Sequence, residues 1–551
     1  MCGIWALISK EKIGSFGDYY ELFMKIKHRG PEYSSFDLIH ENALLGFHRL
    51  AINDPTPDGN QPFHHCPVLK KSTFYCICNG EIYDHDLLVA SYGLHESNEK
   101  TSDCEVILPI YENRKRRPEE FCRDLGSEFA LVILEIESFE ITNIFAARDP
   151  IGVRPLFWHF DGTTIVFSSE MKGLPKNQHN TKVFPPGHFM SWDPRTDSLP
   201  TFKHYCRTAH PVCIPSHDGH IKAMNQIKGH LIEAVRKRIG STDRQLGCLL
   251  SGGLDSSLIV GITRHLLKKS FPVYTISLKG GGTDLIYAEK VANALGLEHH
   301  IVEIDVNDAL SEIENTIYTI ESYDITTVRA SVMQKILAKY IQEKTPDVKV
   351  ILTGENSDEL FMGYLYYHCA PCLSEAGEDS KRLVRDVHRF DGLRTDRTTA
   401  AHGLEVRVPF ADCDLVDLVQ SLDPGFITPK KQEKYILRDA FKEMNLIPEE
   451  VLWRRKEAFS DAVSTSEDSW YRSIQTYVDS FISDEEFQKN RIRWKINTPF
   501  TKEAYYYRKI FVKYFGDSDD VAETIPYFWM PRWQSSSEQK MDPSARTLKI
   551  Y

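Results

Sequence analysis

Residues 246–257 read LGCLLSGGLDSS. A short apolar run, Leu246–Leu250, ends in a Gly-rich turn, and a helix-forming run follows from about Ser256 to Lys268. Strand, loop, helix is the opening of a βαβ unit. The glycines let successive backbone N–H groups turn toward an anion, while the hydroxyls and the helix N-terminus add donors and positive potential. The loop lacks G-K-[ST], so it is not a Walker A loop. Alone, it also reads as an ordinary capped helix start.

The same grammar continues downstream. Val273–Leu278 reads as a second strand; Ala288, Val291, Ala292 and Leu295 then recur at helical spacing, and Gly296 stops that helix. His300–Ile304 is a third strand and Val348–Leu352 a fourth. Alternating strands and helices predict a doubly wound parallel α/β sheet, with ligands beyond the carboxyl ends of its strands. The fourth strand runs into TGENSDE, Thr353–Glu359. Carboxylates at such a position suit Mg²⁺ held together with phosphate oxygens. They equally suit the first turn of a helix capped by Ser357. From about Tyr364 to Tyr551 the chain reads as largely helical and irregular, with a polar tail from Ser535.

Upstream the pattern is short strands: Ile4–Ile8, Leu44–Ile52, Phe74–Cys78, Phe129–Ile136 and Ile165–Ser168, with helices near Tyr19–Lys27 and Asp103–Glu112. Strands with segregated helices predict an α+β domain of layered antiparallel sheets. A Pro-containing passage, Asp193–Pro215, separates the two grammars. The expected domains are residues 2–205 and 206–551.

Bulk properties narrow the classes. The chain has 551 residues, too many for one ordinary core, and a formal net charge of −12. An acidic chain is a poor partner for nucleic acid, whose phosphates call for clustered Lys and Arg. No apolar run approaches the ~18 residues of a membrane helix, and the start MCGIWALISKEK lacks a basic n-region, so neither a membrane span nor a secretory signal is expected. The 12 cysteines follow no repeating frame, which fits reduced thiols in the cytoplasm. Cys369 and Cys372 form a lone C-x-x-C, a weak signal for zinc or redox chemistry.

Cys2 directly follows Met1. Removal of Met1 gives Cys2 a free α-amine able to serve as base for its own thiol. Arg49, in GFHRLAIND, can clamp a carboxylate bidentately. Asn79-Gly80, at the end of FYCIC, can present an amide and a backbone N–H together, as an oxyanion hole requires; a hairpin turn is the plainer reading. Asp103 can receive an amino group, or be a solvated charge. Thiol, oxyanion hole, carboxylate reader and ammonium reader together fit an α-amino acid amide, glutamine above all.

These residues also carry a resemblance. MCGI, HRGP (His28–Pro31), HRLAI (His48–Ile52), NGEIY (Asn79–Tyr83) and RDPIGVRPL (Arg148–Leu156) resemble a class II glutamine amidotransferase domain, an αββα sandwich with an N-terminal Cys nucleophile. The resemblance implies Cys2 as nucleophile and Asn79 and Gly80 as oxyanion hole. It also implies glutamine contacts from Arg49, Glu81 and Asp103, with backbone in Leu50, Ala51, Ile52 and Asn53. SGGLDSS resembles the pyrophosphate loop of ATP pyrophosphatases, which split ATP between the α- and β-phosphates. YDITTVRAS (Tyr323–Ser331), DRTTAAHGLEVRVPF (Asp396–Phe410), RRKEAFSD (Arg454–Asp461) and DPSARTL (Asp542–Leu548) extend the likeness, so that nearly the whole chain resembles the glutamine-hydrolysing asparagine synthetase family.

That family resemblance implies ATP contacts at Leu250, Ser251, Gly253, Asp255, Ser256, Ile276, Thr353 and Gly354. It gives Glu355 a part in forming a β-aspartyl-adenylate, places Mg²⁺ at Asp255 and Asp358 with pyrophosphate held at Asp358, and has Lys456 neutralise departing phosphate. Thr326 and Arg329 would lie near the aspartate. Ammonia released from glutamine would need an internal passage between the domains, and a homodimer is one expected assembly. The chain departs from the family at three places: Asn356 stands for a usual Gly, Ala411 for a Leu and Ala462 for a Gly. Asn tolerates left-handed φ better than other non-Gly residues, so the turn at Asn356 is expected to survive. Two other readings stay open: an amide synthase for another carboxylate, β-lactam-forming relatives included, and a non-catalytic member on the same scaffold.

Overall fold

The computed structural model describes residues 1–67, 72–94, 102–175, 180–206, 217–428, 432–464 and 469–535. The motif DPSARTL at 542–548 lies outside them. Two compact units form. One comprises Met1–Thr208 with Gly240–Arg244 and Ala400–Glu405; the other comprises Ala209–Ile239, Gln245–Thr399 and Val406–Tyr551. The two short later stretches that belong to the first unit are something a single division near residue 205 does not anticipate.

The first unit is built on two six-stranded antiparallel sheets. Its strands are β1 (Gly3–Ser9), β2 (Tyr33–His40), β3 (Ala43–Arg49), β4 (Phe63–His65), β5 (Ser72–Glu81), β6 (Glu128–Glu137), β7 (Glu140–Arg148), β8 (Phe157–Phe160), β9 (Thr164–Ser168), β10 (Thr181–Val183), β11 (His188–Trp192) and β12 (Thr201–His204). One sheet runs β10-β8-β9-β1-β3-β2, the other β12-β11-β7-β6-β5-β4. Period-two alternation sorts the side chains by face. Ile4, Ala6, Ile8, Leu45 and Phe47 of the first sheet meet Ile77, Val132, Leu134, Ile144 and Met190 of the second in one core. The opposite face of the second sheet, with Cys76, Leu131 and Ile133, packs on Ile107, Leu108, Tyr111 and Phe121 from helices. On the far face of the first sheet, Phe23 of the helix Gly17–Met24 lies against Gly46, where an added Cβ would come within 2.7 Å of the ring. Helix, sheet, sheet, helix is the expected αββα order.

Two local expectations are corrected here. The strand expected over Leu44–Ile52 ends at Arg49, so Leu50–Ile52 leave the ladder. Asn79-Gly80 is no hairpin turn: both residues stay in β5, paired with Ala130 and Phe129 of β6.

The second unit carries a five-stranded sheet of order β15-β14-β13-β16-β17, from β13 (Gln245–Leu249), β14 (Pro272–Leu278), β15 (Glu298–Ile304), β16 (Val348–Leu352) and β17 (Glu405–Arg407). The β13–β14, β14–β15 and β13–β16 pairs are parallel. The short β17, at the start of the run EVRVPF, has no counterpart in the sequence reading, which took this region as helical and irregular. From β13 the chain builds outward through β14 and β15, then returns to the other side with β16. That reversal opens a crevice at the carboxyl ends of β13 and β16, the position where such sheets bind ligands. SGGLDSS leaves β13 there and TGENSDE leaves β16. No helix among the described residues is long and apolar enough to cross a membrane.

Candidate functional site

In the first unit, alternation decides which side chains meet. Cys2 continues the inward face of Ile4, Ala6 and Ile8, and it packs against the core between the sheets. Asn79 continues the inward face of Ile77 on the opposing sheet. Cys2 and Asn79 therefore face one layer from opposite sides. The Asn79 side chain is 1% exposed, and neither its Nδ2 nor its Oδ1 has a hydrogen-bond partner among the described residues. A buried unpaired amide costs about 1–3 kcal/mol, the kind of debt an oxyanion-hole donor carries until the oxyanion forms. Gly80 is required beside it, since an added Cβ would lie 2.7 Å from Glu128 O.

The Cys2 Sγ donates to Leu50 O at 3.7 Å, and Arg29 Nε donates to Cys2 O at 3.0 Å. Arg29 is itself held by Glu170 at 2.7 Å, with Lys172 on the same carboxylate at 2.5 Å. With Met1 in place, burial pushes the Cys2 thiol up to about 11. The Met1 ammonium, 3.7 Å from Glu405, is lowered by its own burial. Removing Met1 would put a new amine beside the thiol.

Arg49 donates from Nη1 to Thr56 O at 2.5 Å and Asn60 Oδ1 at 2.8 Å, and from Nη2 to Asp54 O. These bonds fix the plane of the guanidinium. Asn53 Nδ2 bridges Glu81 Oε2 (2.8 Å) and Asp103 Oδ1 (3.3 Å), while Asp103 Oδ2 accepts from Ile82 N at 2.6 Å. Asn53, Glu81 and Asp103 are thus brought together. The motif RDPIGVRPL proves to be scaffolding. Asp149 accepts from the backbone N–H groups of Ile151, Gly152, Val153 and Arg154 at 2.6–3.1 Å, and buried Arg148 donates to Gly152 O, Arg154 O and Phe184 O at 2.7–2.8 Å.

In the second unit one cavity is lined by Leu250, Ser251, Gly253, Asp255, Ser256, Ile276, Thr326, Thr353, Gly354, Glu355, Asp358 and Lys456. Every residue that the family resemblance attaches to ATP, to adenylate formation or to Mg²⁺ is among them. Gly252 sits at φ +76°, and a Cβ there would lie 2.5 Å from Ala288 N, so the loop needs glycine twice over. Ser256 Oγ accepts from Ser251 N at 3.1 Å, curling the loop on itself. At Gly354 an added Cβ would lie 2.5 Å from Ser256 N, so the loops after β13 and β16 touch. Ser357 Oγ joins them, donating to Asp255 Oδ1 at 2.8 Å. It does not cap its helix; the N-cap is Asn356, at φ +71°.

Charge is dense in this cavity. Lys434 Nζ lies 2.6 Å from Asp255 Oδ2 and 2.6 Å from Asp358 Oδ1, and Lys456 pairs with Asp358 Oδ2. Burial alone would raise the Asp358 carboxyl, but the two ammonium groups outweigh it and hold it down at about 2. Burial raises the Glu355 carboxyl despite its 2.8 Å pair with Arg394. Arg394 also reaches Gln334 Oε1 at 3.0 Å and Asp391 at 3.1 Å. Thr326 Oγ1 is buried with no hydrogen-bond partner among the described residues.

Arg329 is the one expected site residue of this unit that does not line the cavity. Thr326, Ala330, Gln334 and Leu337 form the lining stripe of the helix Ile325–Lys344. Arg329 falls off that stripe and pairs bidentately with buried Glu503 at 2.8 and 2.6 Å. Sequence reasoning missed Lys434, Arg394 and Asp391, which sit in no recognised loop motif. Asp391 and Arg394, one turn apart on a helix, were the only local signal. Cys369 and Cys372 are exposed free thiols, and no cluster of three or more His, Cys, Asp or Glu suited to a metal ion occurs among the described residues.

Comparison with known proteins matches two families to different parts of the chain. The family described as Glutamine amidotransferase domain matches residues 1–191, and that described as Asparagine synthase matches residues 226–386 and 378–541. A Gallus gallus protein named Asparagine synthetase [glutamine-hydrolyzing] is 39% identical over 578 residues, spanning 100% of this chain and 99% of its own length. The Bos taurus protein of that name is 40% identical over 584 residues, with 100% and 99% covered. A Probable asparagine synthetase [glutamine-hydrolyzing] of Acanthamoeba polyphaga mimivirus is 40% identical over 549 residues, 96% of each chain. With both sets of loops in place and the likeness running end to end, the chain belongs to the family of glutamine-hydrolysing asparagine synthetases.

Proposed function

We propose that this protein makes L-asparagine from L-aspartate, taking nitrogen from L-glutamine and splitting ATP into AMP and pyrophosphate. The observation that carries this reading is the single cavity where SGGLDSS, TGENSDE and Lys456 converge.

Glutamine chemistry belongs to the first unit. Once Met1 is removed, the Cys2 amine takes the thiol proton and Sγ attacks the side-chain amide carbon. Asn79 Nδ2 and the Gly80 N–H stabilise the oxyanion. Ammonia leaves, a thioester forms, and water releases glutamate. Arg49 reads the glutamine carboxylate, Glu81 and Asp103 read its ammonium, and the backbone of Leu50–Asn53 closes around it.

Adenylation belongs to the second unit. ATP lies with its adenine against backbone at Leu250 and Ile276, while Ser251, Gly253, Asp255, Ser256, Thr353 and Gly354 hold its phosphates. An oxygen of the aspartate side-chain carboxylate attacks the α-phosphorus, and the bond to the β-phosphate oxygen breaks. Glu355 supports this step, and Lys456 neutralises the departing pyrophosphate. Ammonia then attacks the acyl carbon and AMP leaves. Thr326 lines the cavity and its buried hydroxyl has no hydrogen-bond partner among the described residues, which supports a contact with the aspartate.

Magnesium fits the donors present. Asp255 and Asp358, from the loops after β13 and β16, are close enough to share Lys434 Nζ at 2.6 Å each, so both carboxylates are at hand for an ion that enters with the phosphates. Two carboxylates completed by substrate phosphates is the usual Mg²⁺ arrangement. Held by these carboxylates and the phosphates beside Lys434, the ion would draw negative charge off the phosphates. A homodimer and the absence of nucleic-acid partners remain part of this reading.

The test is product identification. Protein incubated with glutamine, aspartate and MgATP should yield asparagine, AMP, pyrophosphate and glutamate. ADP with phosphate in place of AMP with pyrophosphate, or no asparagine, would sink the proposal.

A further inference from the structure

We propose that Lys434 stands in for a second divalent cation at the ATP site, so that the site takes up one metal ion per nucleotide and none without it. The inference rests on the ATP reading above and adds a role that neither the loop motifs nor the adenylation chemistry assigns.

Four observations support it. First, Lys434 Nζ is ringed by oxygens: Asp255 Oδ2 at 2.6 Å, Asp358 Oδ1 at 2.6 Å and Ser357 Oγ at 3.3 Å. That is a donor set for a hard cation, and an ammonium fills its centre. Second, the side chain is 1% exposed, so the ammonium is built in rather than draped over the surface. Third, its two carboxylates come from different loops, one after β13 and one after β16. A cation between them is what allows like charges to stand this close in a buried site. Fourth, the path of the side chain is prepared. A Cβ at Gly363 would lie 2.0 Å from Lys434 Cε and 2.2 Å from Asp358 Oδ1, so this approach needs a glycine. Lys434 itself sits at φ +56°, at the N-cap of the helix Tyr435–Phe441.

Charge arithmetic gives the functional consequence. Asp255 and Asp358 contribute two negative charges, and Lys434 and Lys456 two positive ones. These four side chains cancel, so without nucleotide the Asp255–Asp358 pair offers a divalent ion little to neutralise. The triphosphate brings the excess negative charge and with it the demand for a metal ion. Lys434 is a positioning residue in this scheme: it holds Asp255 and Asp358 at a fixed separation, and the nucleotide recruits the metal.

Manganese binding tests it, read by electron paramagnetic resonance of free Mn²⁺ and independent of turnover. Wild-type protein without nucleotide should bind no Mn²⁺ through the low-millimolar range. With α,β-methylene-ATP it should bind one Mn²⁺ per site. Lys434→Met should gain a nucleotide-free Mn²⁺ site at least ten-fold tighter than any in the wild type, and Lys434→Arg should stay silent. Two Mn²⁺ per nucleotide-loaded wild-type site would overturn the proposal while leaving the ATP reading intact. So would Lys434→Met that melts like wild type yet gains no Mn²⁺ site. If Lys434→Met does not fold, the wild-type stoichiometry decides alone. A wild-type protein that takes up no manganese–nucleotide at all would overturn both readings together.

Discussion

Asn356 donates from Nδ2 to Phe410 O at 2.9 Å while its own backbone sits at φ +71°. The side chain that replaces the family's usual glycine therefore ties the loop carrying Glu355 and Asp358 to the run VRVPF. Left-handed φ is tolerated by Asn and strained for most other residues. Asn356→Ala loses both the hydrogen bond and that tolerance, and should destabilise the protein by about 1–3 kcal/mol. Asn356→Gly keeps the backbone conformation and should cost about 1 kcal/mol or less. Thermal unfolding of the two variants gives the order directly; Ala milder than Gly would contradict this account of the loop.

Cys2 offers a chemical readout. With Met1 attached, its thiol is pushed up to about 11, so at pH 8 only about one molecule in a thousand carries the thiolate. A chain extended before Met1 should react slowly with iodoacetamide at Cys2 near neutral pH, and the Met1-trimmed protein much faster. Cys2→Ala should abolish glutamine-dependent synthesis and spare ammonia-dependent synthesis. Mass-spectrometric labelling and paired assays with the two nitrogen sources measure these outcomes. Equal labelling of the two forms would remove the case for Met1 as a block.

Both sets of loops were legible in the sequence for a physical reason. Gly252 and Gly354 are forced by backbone contacts, and the apolar runs before them are central strands, so local pattern and tertiary demand coincide. Asn79 was legible as an amide at a strand end, although its retention in β5 depends on pairing with β6, which lies nearly fifty residues on. Lys434 was illegible because nothing local distinguishes it. Its role comes from two carboxylates brought to it across separations of 179 and 76 residues. Arg329 shows the converse: a motif position suggests a ligand contact, but helix phase turns its side chain toward Glu503.

That pair makes a prediction about Arg329. Its side chain and that of Glu503 are essentially fully buried. Breaking such a pair by removing one partner strands the other charge and costs about 3–5 kcal/mol, whereas replacing both by apolar groups is often neutral. Arg329→Met should therefore lower the melting temperature sharply, and Arg329→Met with Glu503→Leu should recover most of the loss. Because Arg329 does not line the cavity, the double variant should keep a KM for aspartate within about three-fold of wild type, less than 1 kcal/mol in binding terms. A double variant that folds well yet binds aspartate ten-fold more weakly would return Arg329 to the aspartate site.

Glu359 sets a pH signature for the second unit. Burial, with Asp391 and Asp358 nearby, pushes its carboxyl up to about 8, and it accepts a hydrogen bond from Tyr364. Between the ordinary carboxylate range and about 8 the folded protein holds a proton here that the unfolded chain has lost. Folded-state proton excess means that stability falls as pH rises across that window. Below it both states are protonated and above it neither is, so this group adds no slope at either end. Glu359→Gln mimics the protonated carboxyl and should flatten the decline between pH 5 and 8. Urea unfolding at intervals across that range measures the slope; a variant whose slope matches wild type would show that Glu359 titrates alike in both states and that its burial has no thermodynamic reach.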